Sequence, residues 1–571
     1  MYVKTTSRKI KDGAEVRYLH LAHNQWDPAR QRSVPQVLYS FGREDALDRD
    51  AIRRLVASLS RLLDPAGALA ATAGSDLVFI ESRPLGGVHV LDAMWRRLNI
   101  NTIICRAGQN GRGRPRDNAA NERVLFGLVA SRALAPSSKL AAADWISNDV
   151  HIPGLPATAD DACYRAMDWL HGIRGELEKE IYHQVADLLN LEVDLLFFDT
   201  TSTYFELPDD DDPVTRDWRG EPAGDDNEID ADKTTGFRAH GKSKDSRDDL
   251  PQIVIGMAVT RDGIPVRVWC WPGNTADSAL IRQVKADMRD WSLGRVVWVT
   301  DRGFSSKRNR RYLQRGAGHY IIAEKLRSGS PDIKTALSRQ GRYQTVAGNL
   351  QVKEVRIDDA DDRFVICYNP DAATRDAATR ADLITKLEDL ITGSDKLTAT
   401  KRAELRGKIS AMPGLNRFLR VTPGGLLRID KATIKTEENL DGKYLLRSSD
   451  PKLSAEDIAL GYKQLLQVER GWRDMKSVLD LRPVYHRLEE RIRAHVILCW
   501  LALLLIRIIE TTTGDTWPAI RRHLDRLHIG TFTGPAGTFR QRTELTKAQT
   551  GLLAKLAIPA PRQIIELEPA R

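Results

Sequence analysis

The sequence predicts a mixed α/β fold, a sheet with helices packed on it, and three observations carry that prediction. Two apolar runs read as strands and end at acidic residues: Val193 to Phe198 leads into Asp199, and Val296 to Thr300 leads into Asp301. Between them, Gln252 to Val259 and Ile264 to Trp271 flank Asp262-Gly263, the dipeptide that favours a tight hairpin turn. Helix-patterned segments then alternate with strands, one from about 277 to 291 and another from about 306 to 315, followed by the strand His319 to Ala323. A hairpin joined to alternating helices and strands describes a mixed sheet.

The other elements follow in chain order. Residues 1–45 alternate like strands around Asp27-Pro28, which predicts a β-hairpin. Residues 46–190 read mainly as helices, among them Asp48 to Leu62, Asn118 to Ala133 and Asp160 to Leu170, broken by Pro and Ser. The sheet region spans 191–326. From 327 to 450 short strand-like pieces flank a charged helical stretch, which predicts an inserted β-rich subdomain. Helices resume over 451–530, and the Pro/Gly/Thr-rich residues 531–571 read as a tail.

Composition narrows the class. At 571 residues the chain is too long for one core. The balance of 86 basic against 77 acidic residues, net +9, fits a polyanionic partner without demanding one. Five scattered cysteines with no CxxC pair indicate neither a disulfide framework nor a zinc site, which fits a reducing cytoplasm. The apolar run Val496 to Ile506 is about half the ~20 residues a membrane span needs, so a buried helix and no membrane are expected.

The chemistry is carried by three acidic residues distant in sequence. Asp199 and Asp301 stand at strand ends, and Glu469 lies in the helical stretch Tyr462 to Lys476. Carboxylates from two strand ends and a helix supply the hard oxygen ligands that Mg²⁺ takes in phosphoryl-transfer chemistry. At ~100° per residue, Tyr462, Glu469, Arg473 and Lys476 share one helix face. A phenol, a carboxylate and two cations on one face suit a metal ligand flanked by groups that hold phosphate oxygens. Each acidic residue alone has a plainer reading, as a loop cap or a solvated helix residue; the weight lies in their combination.

In these motifs the chain resembles the DDE transposases of bacterial insertion sequences, in the group marked by a Tyr-x2-Arg-x3-Glu-x6-Lys (YREK) signature. The order is similar: a strand-end Asp, a second strand-end Asp followed by Arg-Gly-Phe, an insertion, then the signature helix. The stretches Gly241 to Gln252 and Pro272 to Thr275 also look like that group. The resemblance implies an RNase H-like catalytic core in two parts (191–326 and 451–530), with the helical region 46–190 binding DNA. It implies Asp199, Asp301 and Glu469 as catalytic residues holding two Mg²⁺ or Mn²⁺ ions. Cleavage at the element ends and joining of the 3′-hydroxyl ends to target DNA would use this one site. Double-stranded DNA, as terminal inverted repeats and target, is the implied partner, with a homodimer on paired ends and a cytoplasmic, nucleoid-associated location.

Two departures stand out. Leu465 occupies the signature's Arg position, so that phosphate contact is either absent or supplied by Arg470 or Arg473, of which Arg473 has the better helical phase. No Trp lies between Asp301 and Trp472 to stack a flipped base, which leaves Tyr320, Tyr343 or Phe364 for that task. Gly111 to Arg116 contains Arg-Gly-Arg-Pro, the core of an AT-hook, by which Arg112 and Arg114 would enter a narrow minor groove. A basic loop ahead of a helix capped by Asp117 is the stronger reading of that segment. Two other functions share parts of this pattern: an RNase H-fold nuclease or resolvase without strand transfer, and a transposase-derived DNA-binding protein that has lost catalysis.

Overall fold

The computed structural model describes residues 1–9, 15–63, 77–108, 118–188, 195–223, 234–289, 291, 295–357, 361–534 and 537–569. The chain forms two compact units. Met1–Leu85, Asp525–Thr550 and Pro559–Arg571 make the first, and Gly86–Leu524 with Gly551–Ile558 makes the second.

The first unit extends the sequence reading at both ends. The predicted hairpin is present as Glu15–Asp27 and Arg32–Arg43, and a further strand the sequence reading did not separate, Tyr2–Lys9, pairs antiparallel with its first arm. The supposed tail is ordered as well. Strands His528–Gly534, Gly537–Arg542 and Ile564–Pro569 form a four-stranded sheet with Val78–Pro84. Phe79, Phe532 and Phe539 line up across it, with centroids 5.4 and 5.3 Å apart. These pairings join segments some 450 residues apart, so local composition could not announce them.

The second unit is built on a nine-stranded sheet. Its strands are β1 (Leu195–Tyr204), β2 (Gln252–Val259), β3 (Pro265–Pro272), β4 (Val297–Thr300) and β5 (His319–Ala323), then β6 (Gln344–Ala347), β7 (Leu350–Val355), β8 (Arg363–Tyr368) and β9 (Lys443–Ser448). The order across the sheet is β6-β7-β8-β9-β5-β4-β1-β2-β3. β1, β2 and β3 are antiparallel neighbours, and β4 runs parallel to both β1 and β5. The β2–β3 turn is the one the Asp-Gly pair predicts. Gly263 sits at φ +76° and donates its N–H to the Thr260 carbonyl at 2.9 Å. Only a residue without Cβ strain adopts that φ readily.

Helices cover the sheet because its strands are apolar on both faces. Leu195, Leu196, Phe197 and Phe198 are all buried, as is every residue of β2. On one face Phe198, Trp269, Trp271 and Trp298 pack against Leu280, Ile281 and Val284 of α3 (Asp277–Asp287) and against Tyr182 of α2 (Asp160–Leu188). Each fully buried Phe or Leu side chain here contributes roughly 2–3 kcal/mol of transfer free energy.

Helix α7 (Glu489–Thr513) is apolar nearly all round, and such a helix must be covered on every side. By length and composition it could cross a membrane, and its apolar window is wholly buried within the fold. At 25 residues it is longer than the apolar run alone predicts. It packs against α1 (Asn118–Leu134), α2 and β3. Helices from the 46–190 region therefore share a core with the sheet, and that region is divided between the two units after Leu85.

The inserted region 327–450 also departs from expectation. Its strands β6 to β9 are not a separate body: β9 pairs with β5 and extends the central sheet. What stands apart is mainly helical. Around α4 (Pro370–Ile391), Leu387, Ile409, Leu415 and Phe418 form a small core of their own. Tyr320 and Phe364, considered for base stacking, are fully buried in the sheet's core and cannot serve. Tyr343 packs against Tyr368 with the rings tilted and their centroids 5.9 Å apart.

Candidate active site

The strand register places the first two acidic residues side by side. Phe198 of β1 pairs with Thr300 of β4 in the parallel ladder, and the next residue on each strand is Asp199 and Asp301. Here the structure refines the sequence reading. Asp301 does end its strand, whereas β1 continues to Tyr204 because β2 pairs with it as far as Gln252. Asp199 is thus where the parallel partner stops, not where the strand stops.

Their surroundings differ. Asp199 keeps 22 % side-chain exposure, and its carboxyl is pushed up to about 6. Burial is the main cause, with the charges of Asp301 and Asp277 adding to it and Lys244 opposing. Asp301 accepts the Arg302 N–H at 2.6 Å, the capping role its position permits, and also faces the Tyr462 hydroxyl at 3.4 Å. Burial and the charge of Asp301 raise the Tyr462 phenol above its ordinary range, and Glu469 adds to the rise.

Glu469 reaches the same place from a helix. The predicted single helix is two, α5 (Ala455–Lys463) and α6 (Leu466–Ser477). At the junction Leu465 N–H bonds Tyr462 O and Val468 N–H bonds Leu465 O, a tightened three-residue pattern. Such a turn advances about 120° per residue instead of 100°, so Tyr462 is rotated from the face that Glu469 and Lys476 share. Leu465, the departure from the signature, is buried at this break. Asp301, Tyr462 and Glu469 nevertheless line one cavity of about 690 Å³, together with Arg302 and Lys463.

The cationic candidates separate. Arg473 is exposed. Lys476 is held by Asp245 at 2.9 and 3.1 Å, and burial lowers its ammonium below the ordinary value. Arg470 is turned away into an ion pair with Glu510 at 2.9 Å, which removes it as a free phosphate contact. Arg112 and Arg114 lie outside the described residues.

Three residues near this centre were not singled out from the sequence. Asp277, at the start of α3, accepts the Thr200 hydroxyl at 2.7 Å and pairs with Lys244 at 3.3 Å. Lys244 lies 3.8 Å from Asp199, and Asp245 follows it. The signal available for Lys244 and Asp245 was their place in the Gly241 to Gln252 stretch. That loop enters closely: a Cβ on Gly241 would lie 2.1 Å from the Gly273 carbonyl, so glycine is required there.

Among the described residues, no group of three or more His, Cys, Asp or Glu side chains is already gathered closely enough to hold a metal ion. The donor chemistry nonetheless suits a hard cation. Asp199, Asp277, Asp301 and Glu469 offer only oxygen, and Asp199 is destabilised as an anion by burial first and by its acidic neighbours second. Among the described residues Asp301 and Glu469 have no ion-pair partner, which leaves net negative charge for a cation to neutralise.

With this geometry in place, comparison identifies the class. The family described as "Transposase DDE domain" matches residues 225–505, a span that includes Asp301, Tyr462, Glu469 and Lys476 and begins after Asp199. The chain belongs to the DDE transposases of bacterial insertion sequences. Residues 3–70 match the family described as the N-terminal domain of the IS1634 family transposases. No curated protein matches the chain. Among solved structures it is similar to the piggyBac transposase in a synaptic complex with hairpin DNA, determined by cryo-EM. That likeness is 10 % identity over 78 % of this chain and 82 % of the other, with a TM-score of 0.37.

Proposed function

We propose that the chain cuts DNA at the ends of its insertion sequence and joins the resulting 3′-hydroxyl ends to target DNA, using Asp199, Asp301 and Glu469. The observation that carries this reading is the Phe198–Thr300 register, which sets two carboxylates side by side beside the cavity that holds Glu469. The strand order β3-β2-β1-β4-β5, antiparallel then parallel, is read as an RNase H-like core. The signature is read as YREK with its Arg replaced by Leu465.

Asp199, Asp301 and Glu469 would hold two Mg²⁺ or Mn²⁺ ions. Such ions, when bound, supply activation of the attacking oxygen and charge stabilisation of the leaving one. The chain's own groups do the rest. The Tyr462 hydroxyl orients the Asp301 carboxylate. Lys476 and the exposed Arg473 lie on α6 on the approach to Glu469, where they can hold phosphate oxygens. Buried Thr200 fixes Asp277 through its hydroxyl. Assembly as a homodimer on paired inverted repeats, in the cytoplasm at the nucleoid, belongs to the same proposal.

The test is Asp301→Ala on duplexes copied from the terminal repeats that flank the gene. The variant should lose Mg²⁺-dependent cleavage while still shifting the duplex in a gel. Cleavage at the wild-type rate would refute the assignment.

A further inference from the structure

The loop residues Lys244 and Asp245 carry opposite charges into the two halves of the site. The Lys244 ammonium donates to the Thr200 carbonyl at 2.7 Å and to its hydroxyl at 2.5 Å. It stands 3.3 Å from Asp277 and 3.8 Å from Asp199. It therefore lies where a cation among these carboxylates is electrostatically favoured. The Asp245 carboxylate takes two contacts from Lys476 and lies 2.6 Å from an Arg482 nitrogen. It therefore lies where an anion is favoured, on the helix face carrying Glu469.

The backbone that delivers the pair is specific. Lys244 N–H donates to the Ser202 hydroxyl at 2.9 Å, and Asp245 N–H to the Ser243 hydroxyl at 3.1 Å. Ser246, next in the chain, is held at φ +57°, a conformation that non-glycine residues rarely adopt without support. The dipeptide is locked at its start by hydrogen bonds to β1 and strained at its end. Arg482, which Asp245 holds, also lies over the Tyr204 ring at 5.1 Å, so the contact closes against the far end of β1.

We propose that Lys244-Asp245 is a built-in substitute for the substrate complex: the ammonium stands in for a metal ion beside Asp199, and the carboxylate stands in for a DNA phosphate on Lys476 and Arg482. The inference rests on the transposase reading above and adds to it a control on loading. DNA must displace Asp245 from two cations, and cations must displace Lys244 from two carboxylates. Because the two residues are adjacent, displacement of one pulls on the other, and the two ligands load together. A free site holds its charges paired until both arrive.

The experiment measures binding of the terminal-repeat duplex in EDTA, where no cleavage occurs. Asp245→Asn should bind several-fold, up to about 10-fold, more tightly than wild type, since a competing carboxylate is gone and the side chain keeps its shape. Asp245→Glu, which restores the charge, should return affinity towards wild type. The gain should vanish in a Lys476→Ala background. Unchanged or weaker binding by Asp245→Asn, in a protein whose circular dichroism and melting match wild type, would overturn the anionic half. For the cationic half, Lys244→Met should melt lower without metal and be raised more by Mg²⁺ than wild type. An equal Mg²⁺ effect on both proteins would overturn it. Wild-type cleavage of the same duplex with Mg²⁺ is followed in parallel. If it is present, a failed binding result removes only this inference; if it is absent, the parent reading falls as well.

Discussion

Two clusters of charge in the same unit follow opposite rules. Along α7, Glu489 is shared by Arg216 at 3.0 Å and Arg493 at 2.8 Å. Near the other end Glu510 is shared by Arg507 at 2.6 Å and Arg470 at 2.9 Å, while Asp474 also takes Arg507. Each buried guanidinium there has its carboxylates, and the Trp517 N–H occupies the other Glu510 oxygen at 2.7 Å. At the candidate active site, the ammonium of Lys244 meets two carboxylates, Asp277 at 3.3 Å and Asp199 at 3.8 Å, while among the described residues Asp301 and Glu469 have no ion-pair partner. The first cluster is complete and fastens helices together; the second carries surplus charge of one sign. Surplus charge, not the number of ionisable groups, distinguishes a place that awaits a ligand from one that holds a fold.

The contrast can be broken or sharpened by substitution. The largest effect should come from the incomplete cluster and fall on catalysis alone. Asp199→Asn or Asp301→Ala should reduce end cleavage by ~10³-fold or more, as expected when a metal-supported phosphoryl transfer loses a ligand. Their denaturant midpoints should stay within a small interval of wild type. A collapse of stability on either substitution would place these residues in the structural class.

The complete cluster should behave in reverse. Glu510→Ala leaves Arg470 and Arg507 without their shared carboxylate, and Arg507 is only 2 % exposed. Removing one partner of such a buried set costs about 3–5 kcal/mol, which equilibrium urea unfolding would register. A loss under about 1 kcal/mol would show that the guanidinium groups find water or other partners.

A third kind of burial lies between these. Lys139 meets the His495 ring at 3.4 Å, and its ammonium is lowered to about 7 by burial first and by the Arg132 charge second. Between about pH 7 and its ordinary value of 10.5 the unfolded chain holds a proton that the folded chain lacks. Stability should therefore rise as pH rises through that window. Lys139→Met should flatten the slope and gain on the order of 4 kcal/mol at pH 7. Parallel pH profiles for variant and wild type would deny the charge its role. Smallest of all, Glu469→Gln should change stability by under about 1 kcal/mol, since Glu469 is exposed and among the described residues has no ionic partner.

Much of the site's skeleton is legible because it is local. Val296 to Thr300 is apolar and short, Arg302-Gly303 follows it, and the strand ends at Asp301 as the pattern requires. The Asp262-Gly263 turn is equally local. Asp199 lies on the strand its apolar run predicts but not at that strand's end, because β1's last six residues are held by β2, more than forty positions away. The helix face was half legible. Glu469, Arg473 and Lys476 keep the α-helical phase, while the tightened turn at Gln464-Leu465 has no Gly or Pro to announce it. Lys244 and Asp245 could be quoted as part of a recognisable stretch, yet their targets depend on how a loop closes over β1. The terminal strands were missed for the same reason: Pro, Gly and Thr suit a tail and a set of short paired strands equally well, and only the distant partner decides.

The bonding of β9 to β5 bears on any attempt to trim this chain to a smaller nuclease. Excising residues 327–450 would strip the neighbour from β5 and leave its backbone N–H and C=O groups facing water along an apolar ribbon. Such a margin is a template for other chains, and a shortened protein would be expected to precipitate before it could be assayed. A workable miniature would have to keep β8 and β9 and remove only the helical lobe between them.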